Sequence, residues 1–291
     1  MVITMPADFQ ECHAAILRDP EDDALRSHLS IFLHPIAQDQ SAFISMQLER
    51  ARQERQRLPG HTEPSASERA LLARHEAEWT RLVAPYVQRR RDGGPACTFH
   101  RGLIAQATVD PEVFVEHGER LLATAPIRHV DFTPPRPGVL PRLLANEALA
   151  RLDSVGLVEA SLDDDAVAAI AASPQLVGCL YLDLSLNRLG PAAFAAIAAS
   201  PHLRQVLVVD RAQHVGLAEE MTWHPGEVVV VQRSAGGTRV TLQPMRPEAR
   251  ELEARHGFLP WLHAANRVAR LDARWFVNRG YRPVAPLGSP A

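Results

Sequence analysis

The sequence predicts an α/β protein: a helical N-terminal domain, a short solenoid of strand–helix units, and a cap made of a β-hairpin and C-terminal helices. Three observations predict it. The segment at 168–176, AAIAASPQL, returns as AAIAASPHL at 195–203, which is 27 residues later. Between the copies, leucines alternate with other residues at 180–189, as a half-buried strand requires. Before residue 95, apolar residues recur mainly at helical spacing.

The repeated unit follows the leucine-rich-repeat pattern. Leu182 and Leu184 occupy apolar places of that pattern, and Asn187 stands at its asparagine place. The neighbouring units are degenerate, because Ala160 and His214 stand at their asparagine places. A unit this short cannot bury its own apolar face, so it must stack on its neighbours. We therefore expect about three stacked strands, with caps at both ends.

Local signals place several helices and strands. Asp19 precedes Pro20 and three further acids, so we expect Asp19 to cap the second helix and prefer capping to a metal site. His75 lies on an apolar helical stripe, which predicts a core histidine. Residues 99–109 are predicted to form one strand. Acids at 163–165 are predicted to cap a helix that ends at Ala172.

Five stretches carry a resemblance to a known family. They read AILRDPEDDA at 15–24, FI at 43–44, LLARH at 71–75, FHRGL at 99–103 and LATAPIR at 122–128. Together they resemble the bacterial repeat-companion domain, a small helical domain that precedes leucine-rich repeats. The resemblance covers roughly residues 9–132, and the repeats extend it to about 217. It implies an interaction scaffold and brings no enzymatic chemistry with it.

The chain departs from that family in its second helix. Family members usually show Asp-Trp-Leu-Glu-Glu-Arg-Gly-Asp there, whereas this sequence reads IFLHPIAQ at 31–38. Phe32 keeps the aromatic position, but the aspartates, the arginine and the glycine are gone. If that charged signature serves a shared role, this chain has lost it.

These signals divide the chain into four parts. We expect a helical repeat-companion domain at 1–95, a repeat solenoid at 96–217, a hairpin-plus-helix cap at 218–281 and a disordered tail at 282–291. The hairpin is predicted from the strand-like runs on either side of a four-residue loop at 234–237. An alternative is that its first strand pairs with a second copy of the chain. The homodimer would then form through Val228, Val229, Val230 and Val231.

Bulk composition excludes several classes of partner. The formal net charge is −3 and the sequence pI is about 6.5, which does not favour nucleic acid or an anionic membrane. Three scattered cysteines predict free thiols in a reducing compartment. We find neither a signal peptide at the N-terminus nor a run of 18 apolar residues. We therefore expect a cytoplasmic protein.

The sequence contains no recognisable catalytic motif. It has no dinucleotide-binding fingerprint, P-loop, zinc-protease motif or nucleophile elbow. His256 and His263 form the nearest sensible histidine pair, but a helix break separates them. We therefore assign no catalytic residue, no metal ligand and no cofactor, and we favour a non-enzymatic protein.

The predicted binding site lies on the concave face of the repeat sheet, where residues between the buried leucines point outward. Stacking would make Asp183 a neighbour of Asp210 and would put Tyr181 between Ser154 and Val208. The predicted binding residues are Asp153, Ser154, Tyr181, Asp183, Val208 and Asp210.

That mixed surface suits a basic or amphipathic segment of a protein or peptide. We therefore predict a non-enzymatic scaffold that binds such a partner through the concave face. The alternative is an accessory subunit or a diverged enzyme that acts on a peptide in a biosynthetic or defence locus.

Overall fold

A computed structural model of the chain describes residues 8–55, 64–179, 181–184, 187, 189 and 191–203. It also describes the strand backbone at 207–209, 222–223, 227–234, 237–244 and 282–283. N-terminal helices precede a mixed β-sheet with further helices between its strands. The predicted α/β class, with a helical N-terminal region, is therefore confirmed.

The N-terminal region contains helices α1 to α4. They span Phe9–Arg18, Asp23–Leu33, Gln38–Arg55 and Ala66–Trp79. The predicted cap of the second helix is wrong: the Asp22 carboxylate accepts the backbone N–H groups of Ala24 and Leu25, while Asp19 ends α1. Ser65 and Glu68 form a reciprocal capping box at the start of α4. The Glu21 and Asp23 carboxylates of this region contact Arg101 instead.

Helices α3 and α4 pack against the sheet through aromatic rings. Phe43 and Trp79 both contact Phe99, with ring centroids 5.6 and 6.2 Å away. The prediction that His75 is a core residue is wrong. Its ring is partly exposed, stacks on Trp79 and places Nε2 2.7 Å from Oδ2 of Asp39. That contact lowers the pKa of the Asp39 carboxyl.

The principal sheet has six strands in chain order. They are β1 Cys97–His100, β2 Leu103–Val109, β3 His129–Phe132, β4 Ser154–Gly156, β5 Tyr181–Asp183 and β6 Leu207–Val209. β1 and β2 are antiparallel, and every later pair is parallel. The prediction of one strand at 99–109 is wrong, because a two-residue turn at Arg101 and Gly102 divides it. Both turn residues have positive φ, as a tight hairpin turn requires.

Helical segments connect the parallel strands and cover one side of the sheet. They are α5 Pro111–Thr124, α6 Val139–Leu144, α7 Asp164–Ala172 and α8 Pro191–Ala199, with short 3₁₀ turns at Ala84–Tyr86, Glu147–Arg151 and Pro174–Leu176. The predicted capping of α7 is confirmed, because the Asp163 side chain accepts the Ala166 N–H. Val130, Val155 and Leu182 lie in one row across the sheet and are buried beneath this helical layer.

Four more strands follow β6. β7 Thr222–Trp223 pairs with β10 Arg282–Pro283, and β8 Glu227–Ser234 pairs antiparallel with β9 Gly237–Pro244. The predicted hairpin is therefore present, but the predicted four-residue loop at 234–237 is wrong, because Ser234 pairs with Gly237. The predicted C-terminal helices lie outside the described residues. Among the helices that are described, none is both long and apolar enough to cross a membrane.

Candidate functional site

The second side of the sheet carries polar residues in two rows. We call this side the polar face. Its first row is Gln106, His129, Ser154 and Tyr181, and its second row is Thr108, Asp131, Gly156 and Asp183. These positions alternate with the buried apolar row, so their placement follows from the strand period of two. The predicted pairing of Ser154 with Tyr181 is present in the backbone register.

The polar face is buried at its centre. Ser154 is 0% exposed, Asp183 is 2% and His129 is 4%. The sequence predicts an open concave surface at Ser154 and Asp183, and in that respect it is wrong. Both residues lie on the predicted side of the sheet, but in this conformation a partner could not reach them.

Three side chains of the polar face form a connected group. Gln106 Nε2 donates to Asp131 Oδ2 at 3.1 Å, and His129 Nε2 lies 3.3 Å from Asp131 Oδ1. Within the described part of the chain, the Ser154 hydroxyl has no hydrogen-bond partner, and the same is true of both ring nitrogens of His129. His129 and Asp131 on β3 therefore contact each other, and Ser154 on β4 is the backbone-register neighbour of His129. The sequence does not single out His129 and Asp131 as site residues, although both occupy alternating places of a repeat-like strand.

Gly156 makes room for the Asp131 carboxylate. A Cβ built on Gly156 would lie 2.1 Å from Asp131 Oδ1. Any side chain at position 156 would therefore displace that carboxylate from Gln106 and His129. In the sequence, Gly156 lies within a strand, and a glycine inside a strand often indicates that another group approaches its backbone closely.

Asp153 lies just before β4 and is half-buried. Its backbone N–H, like that of Ser154, donates to the carbonyl of Arg128. Burial raises the pKa of the Asp153 carboxyl to about 6; Arg128 opposes the rise and Glu21 adds to it. Asp153 is therefore at the edge of the predicted site, next to a charged cluster.

The third predicted unit is out of register by one residue. Tyr181 pairs with Leu207 and Asp183 with Val209, where the 27-residue step predicts Val208 and Asp210. Val208 pairs with Leu182 in the backbone register. Asp210 lies outside the described residues. The predicted site is therefore brought together only in part.

Serine hydroxyls join the helical layer at the 27-residue step. Ser173 Oγ donates to the carbonyl of Leu144 at 2.8 Å, and Ser200 Oγ donates to the carbonyl of Ala171. Donors and acceptors are both 27 residues apart in the sequence. The same bond is therefore made twice between successive helical segments.

Asn187 closes the loop of the preceding unit. Its Nδ2 donates to the carbonyls of Leu157 and Leu184, at 2.8 and 2.9 Å, and its Oδ1 accepts the Leu162 N–H at 3.0 Å. The loop between Leu157 and Leu162 contains Glu159 and Ser161 with φ of 54° and 56°. Such values are unfavourable for residues other than glycine, so this loop depends on contacts that hold its two ends.

Two buried arginines hold the α1–α2 connection against the β1–β2 turn, and we call this set of contacts the junction. Arg26 donates to the carbonyls of Pro20, His100 and Arg101. Arg101 is 0% exposed and donates to the carboxylates of Glu21 and Asp23. Burial lowers the pKa of Arg26 to about 10, so the guanidinium stays charged at neutral pH.

An apolar corner is exposed between α2 and α3. Ile31 is 68% exposed and Ile36 is 78% exposed, with the partly buried Phe32 beside Ile31 in the chain. Single exposed apolar residues are ordinary, but two isoleucines of this exposure within six residues mark a candidate contact surface. This corner lies in the stretch that departs from the repeat-companion pattern.

The described residues offer little for metal or thiol chemistry. No three His, Cys, Asp or Glu side chains within them come together as a metal site requires. Cys12, Cys97 and Cys179 form no disulfide bond with one another. Burial raises the pKa of Cys97 to about 12, which disfavours its reactive thiolate form.

No protein-family model, no curated protein and no solved structure matches this chain.

Proposed function

We propose that this chain is a leucine-rich-repeat protein with an N-terminal repeat-companion domain, and that it binds a protein or peptide without catalysing a reaction. The proposal combines the sequence resemblance with the paired hydrogen bonds of Ser173 and Ser200. Those bonds are the observation that carries it. They repeat at the same 27-residue step as the sequence, which is how stacked units of a solenoid contact their neighbours.

The contacts of Asn187 support the same proposal. In a stacked repeat, an asparagine after the strand satisfies backbone groups of its own unit and of the neighbouring unit. Asn187 bonds to Leu184 in its own unit and to Leu157 and Leu162 in the preceding one. It is buried, so these bonds also satisfy backbone groups that water cannot reach.

The exposed corner at Ile31 and Ile36 is the surface where we propose that the partner binds. The central residues of the polar face are buried, so they do not offer a contact surface in this conformation. Large exposed apolar side chains lose unfavourable contact with water when a partner covers them. A partner with an apolar segment therefore fits this corner better than it fits the buried polar face.

Affinity purification from the native cell tests the proposal. The wild-type chain is compared with the double variant Ile31→Ser/Ile36→Ser and with the control variant Leu82→Ser/Val177→Ser. The control removes two other exposed apolar side chains, which are 64% and 59% exposed. We expect one protein to be recovered with the wild type and the control, and to be lost with the corner variant.

Other results would change the proposal in defined ways. A partner that all three chains recover would move the contact surface away from the corner. Recovery of nothing specific, together with turnover of a metabolite by the purified protein, would reject the binding function. A dimeric mass in solution would favour the alternative in which Val228, Val229, Val230 and Val231 pair with a second copy.

A diverged enzyme acting on a peptide is the second candidate, and one observation favours it. Ser154, His129 and Asp131 are the residue types of a serine hydrolase and lie on adjacent strands. Their burial argues against it, since a substrate must reach the serine oxygen. Labelling of Ser154 by a fluorophosphonate probe, abolished in Ser154→Ala, would support this candidate.

A further inference from the structure

The junction contains a histidine whose ring nitrogen accepts a hydrogen bond from a guanidinium. His100 is buried, ends β1 and immediately precedes Arg101. Arg101 Nε donates to His100 Nε2 at 3.0 Å. The other nitrogens of Arg101 donate to the Glu21 backbone carbonyl and to the Glu21 and Asp23 carboxylates. His100 therefore orients a guanidinium that holds the α1–α2 connection.

The donor and acceptor of this bond are not interchangeable. A guanidinium has five N–H donors and no acceptor, so His100 Nε2 must be the acceptor. Only a neutral imidazole has a ring nitrogen that can accept, and in His100 the proton must then be on Nδ1. An imidazolium at this place would turn an N–H group toward the N–H group of Arg101.

We propose that His100 is a pH-sensitive latch between the N-terminal helices and the sheet. When neutral, it accepts the Arg101 hydrogen bond and the junction is closed. Protonation removes the acceptor and turns an N–H group toward Arg101 Nε, so the hold of Arg101 on the α1–α2 connection is weakened, while the Arg26 bonds remain. This regulatory device is independent of the proposed binding function.

Some charged groups around His100 oppose its protonation, and others favour it. From α2, the Arg26 guanidinium donates to the carbonyls of His100 and Arg101, and its charge opposes an imidazolium. The carboxylates of Glu21 and Asp23 would favour an imidazolium, but Arg101 already engages both. Farther away, Asp153 is influenced by Glu21 and by the cation of Arg128. We therefore expect that the loss of the His100 acceptor outweighs these charges, so that protonation of His100 destabilises the closed junction.

The sign of the pH effect follows from linkage. The closed junction holds His100 neutral, whereas an unfolded histidine takes up a proton near pH 6.5. The neutral His100 ring therefore contributes its full stabilisation above about pH 6.5, and this stabilisation is lost as the pH falls below that value. Between pH 7 and pH 5, the folded-to-unfolded ratio should fall by about 20-fold through His100 alone.

Urea unfolding of the full chain at pH 7, 6 and 5 tests the latch. His100→Gln is the central variant, because a glutamine amide oxygen can accept the Arg101 bond and does not titrate in this range. We expect the wild-type ratio to fall about 20-fold more than that of His100→Gln. His34→Gln is the control, because His34 is exposed and lies outside the junction, and this variant should keep the wild-type pH dependence. Comparison between variants cancels the effect of Asp153. Equal pH dependence in the wild type and His100→Gln would overturn the proposal.

A second measurement covers the case in which His100→Gln does not fold. Nitrogen chemical shifts of the labelled His100 ring in the wild-type protein report directly which ring nitrogens carry protons. At pH 7 we expect an unprotonated Nε2 and a protonated Nδ1. A protonated Nε2 in the folded protein at that pH would contradict the latch without any variant.

Discussion

The junction and the repeated helical segments around Ser173 and Ser200, which we call the stack, are held by two different kinds of hydrogen bond. At the junction, the charged side chains of Arg26 and Arg101 are buried and reach groups about 75 residues or more away in the sequence. Within the stack, neutral side chains such as Ser173, Ser200 and Asn187 bond to backbone carbonyls 29 or 30 residues earlier. The first set occurs once in the described chain, whereas the serine bond repeats.

This difference has a consequence for energetics. A buried charge that loses its partner is costly, while a neutral hydrogen bond to the backbone contributes about 1 kcal/mol. The junction should therefore be sensitive to single substitutions and to pH. The stack should tolerate the loss of one bond, because its stability is spread over equivalent contacts.

Replacement of Arg101 by methionine should have the largest effect. It removes the buried guanidinium that donates to the Glu21 and Asp23 carboxylates, and we expect a loss of about 3 kcal/mol of unfolding free energy. Arg52→Met is the matched control, since Arg52 forms an exposed ion pair with Glu49 and its loss should change the unfolding free energy little. Urea denaturation measures both. Similar losses for the two variants would remove the contrast between the junction and the surface.

Gly102→Ala should have the second largest effect. Gly102 has φ +84°, and a Cβ there would lie 2.6 Å from the Ile44 Cα, so α3 would have to shift. The shift would also strain the bond from the Gly102 N–H to Gln47 Oε1. We expect a loss of about 3 kcal/mol, of which the backbone conformation explains about 1–2.

Gly138→Ala separates the cost of a positive φ from the cost of a steric clash with α3. Gly138 has φ +82°, but a Cβ there would have no neighbour within 4 Å. Thermal or urea unfolding should therefore show only the conformational loss of about 1–2 kcal/mol. If both alanine variants lost the same stability, the close approach of Gly102 to α3 would not matter.

The sequence predicts the stack better than the junction, and the reason is physical. In a sequence repeat, equivalent residues recur at a fixed spacing. The positions of Ser173 and Ser200 and the start of α7 at Asp164 therefore follow from the local sequence. The third strand departs from the step by one residue, where Arg211 and Gly216 replace the expected leucines. Register weakens where the apolar pattern weakens.

The junction and the burial of the polar face depend on long-range contacts that no local pattern contains. The partners of Arg101 are about 80 residues earlier in the chain, so the sequence suggested helix capping for those acids and nothing more. Alternation predicted the side of the sheet for Ser154 and Asp183 correctly. It could not predict that these residues are covered, because coverage depends on how the chain packs.

Asp153→Asn should stabilise the protein at neutral pH. The folded pKa of about 6 exceeds the usual 3.8, so the stability from this group is full below pH 3.8 and is lost as the pH rises through about 6. Removing the charge should gain about 1–3 kcal/mol at pH 7 and almost nothing at pH 3.5. Unfolding curves at the two pH values measure this. A gain that does not change with pH would show that charge is not the cause.

The Asp153 effect also sharpens the contrast with His100. Acidification favours the folded state through Asp153 and disfavours it through the latch. The double variant Asp153→Asn/His100→Gln should therefore show a flatter pH dependence between pH 5 and pH 7 than either single variant. An unchanged dependence would mean that other groups dominate this range.

Alanine at Ser173 or at Ser200 should have the smallest effect. Each substitution removes one hydroxyl bond to the preceding helical segment, and we expect a loss of about 1 kcal/mol at each position. Ser200 also accepts the backbone N–H groups of His202 and Leu203, so its replacement should cost slightly more. The double variant should lose the sum of the two, because the serines bond to different carbonyls. A double-mutant cycle from urea unfolding checks this. A loss well above the sum would mean that the units stabilise one another through these bonds, so the stack would be more cooperative than nearest-neighbour contacts require.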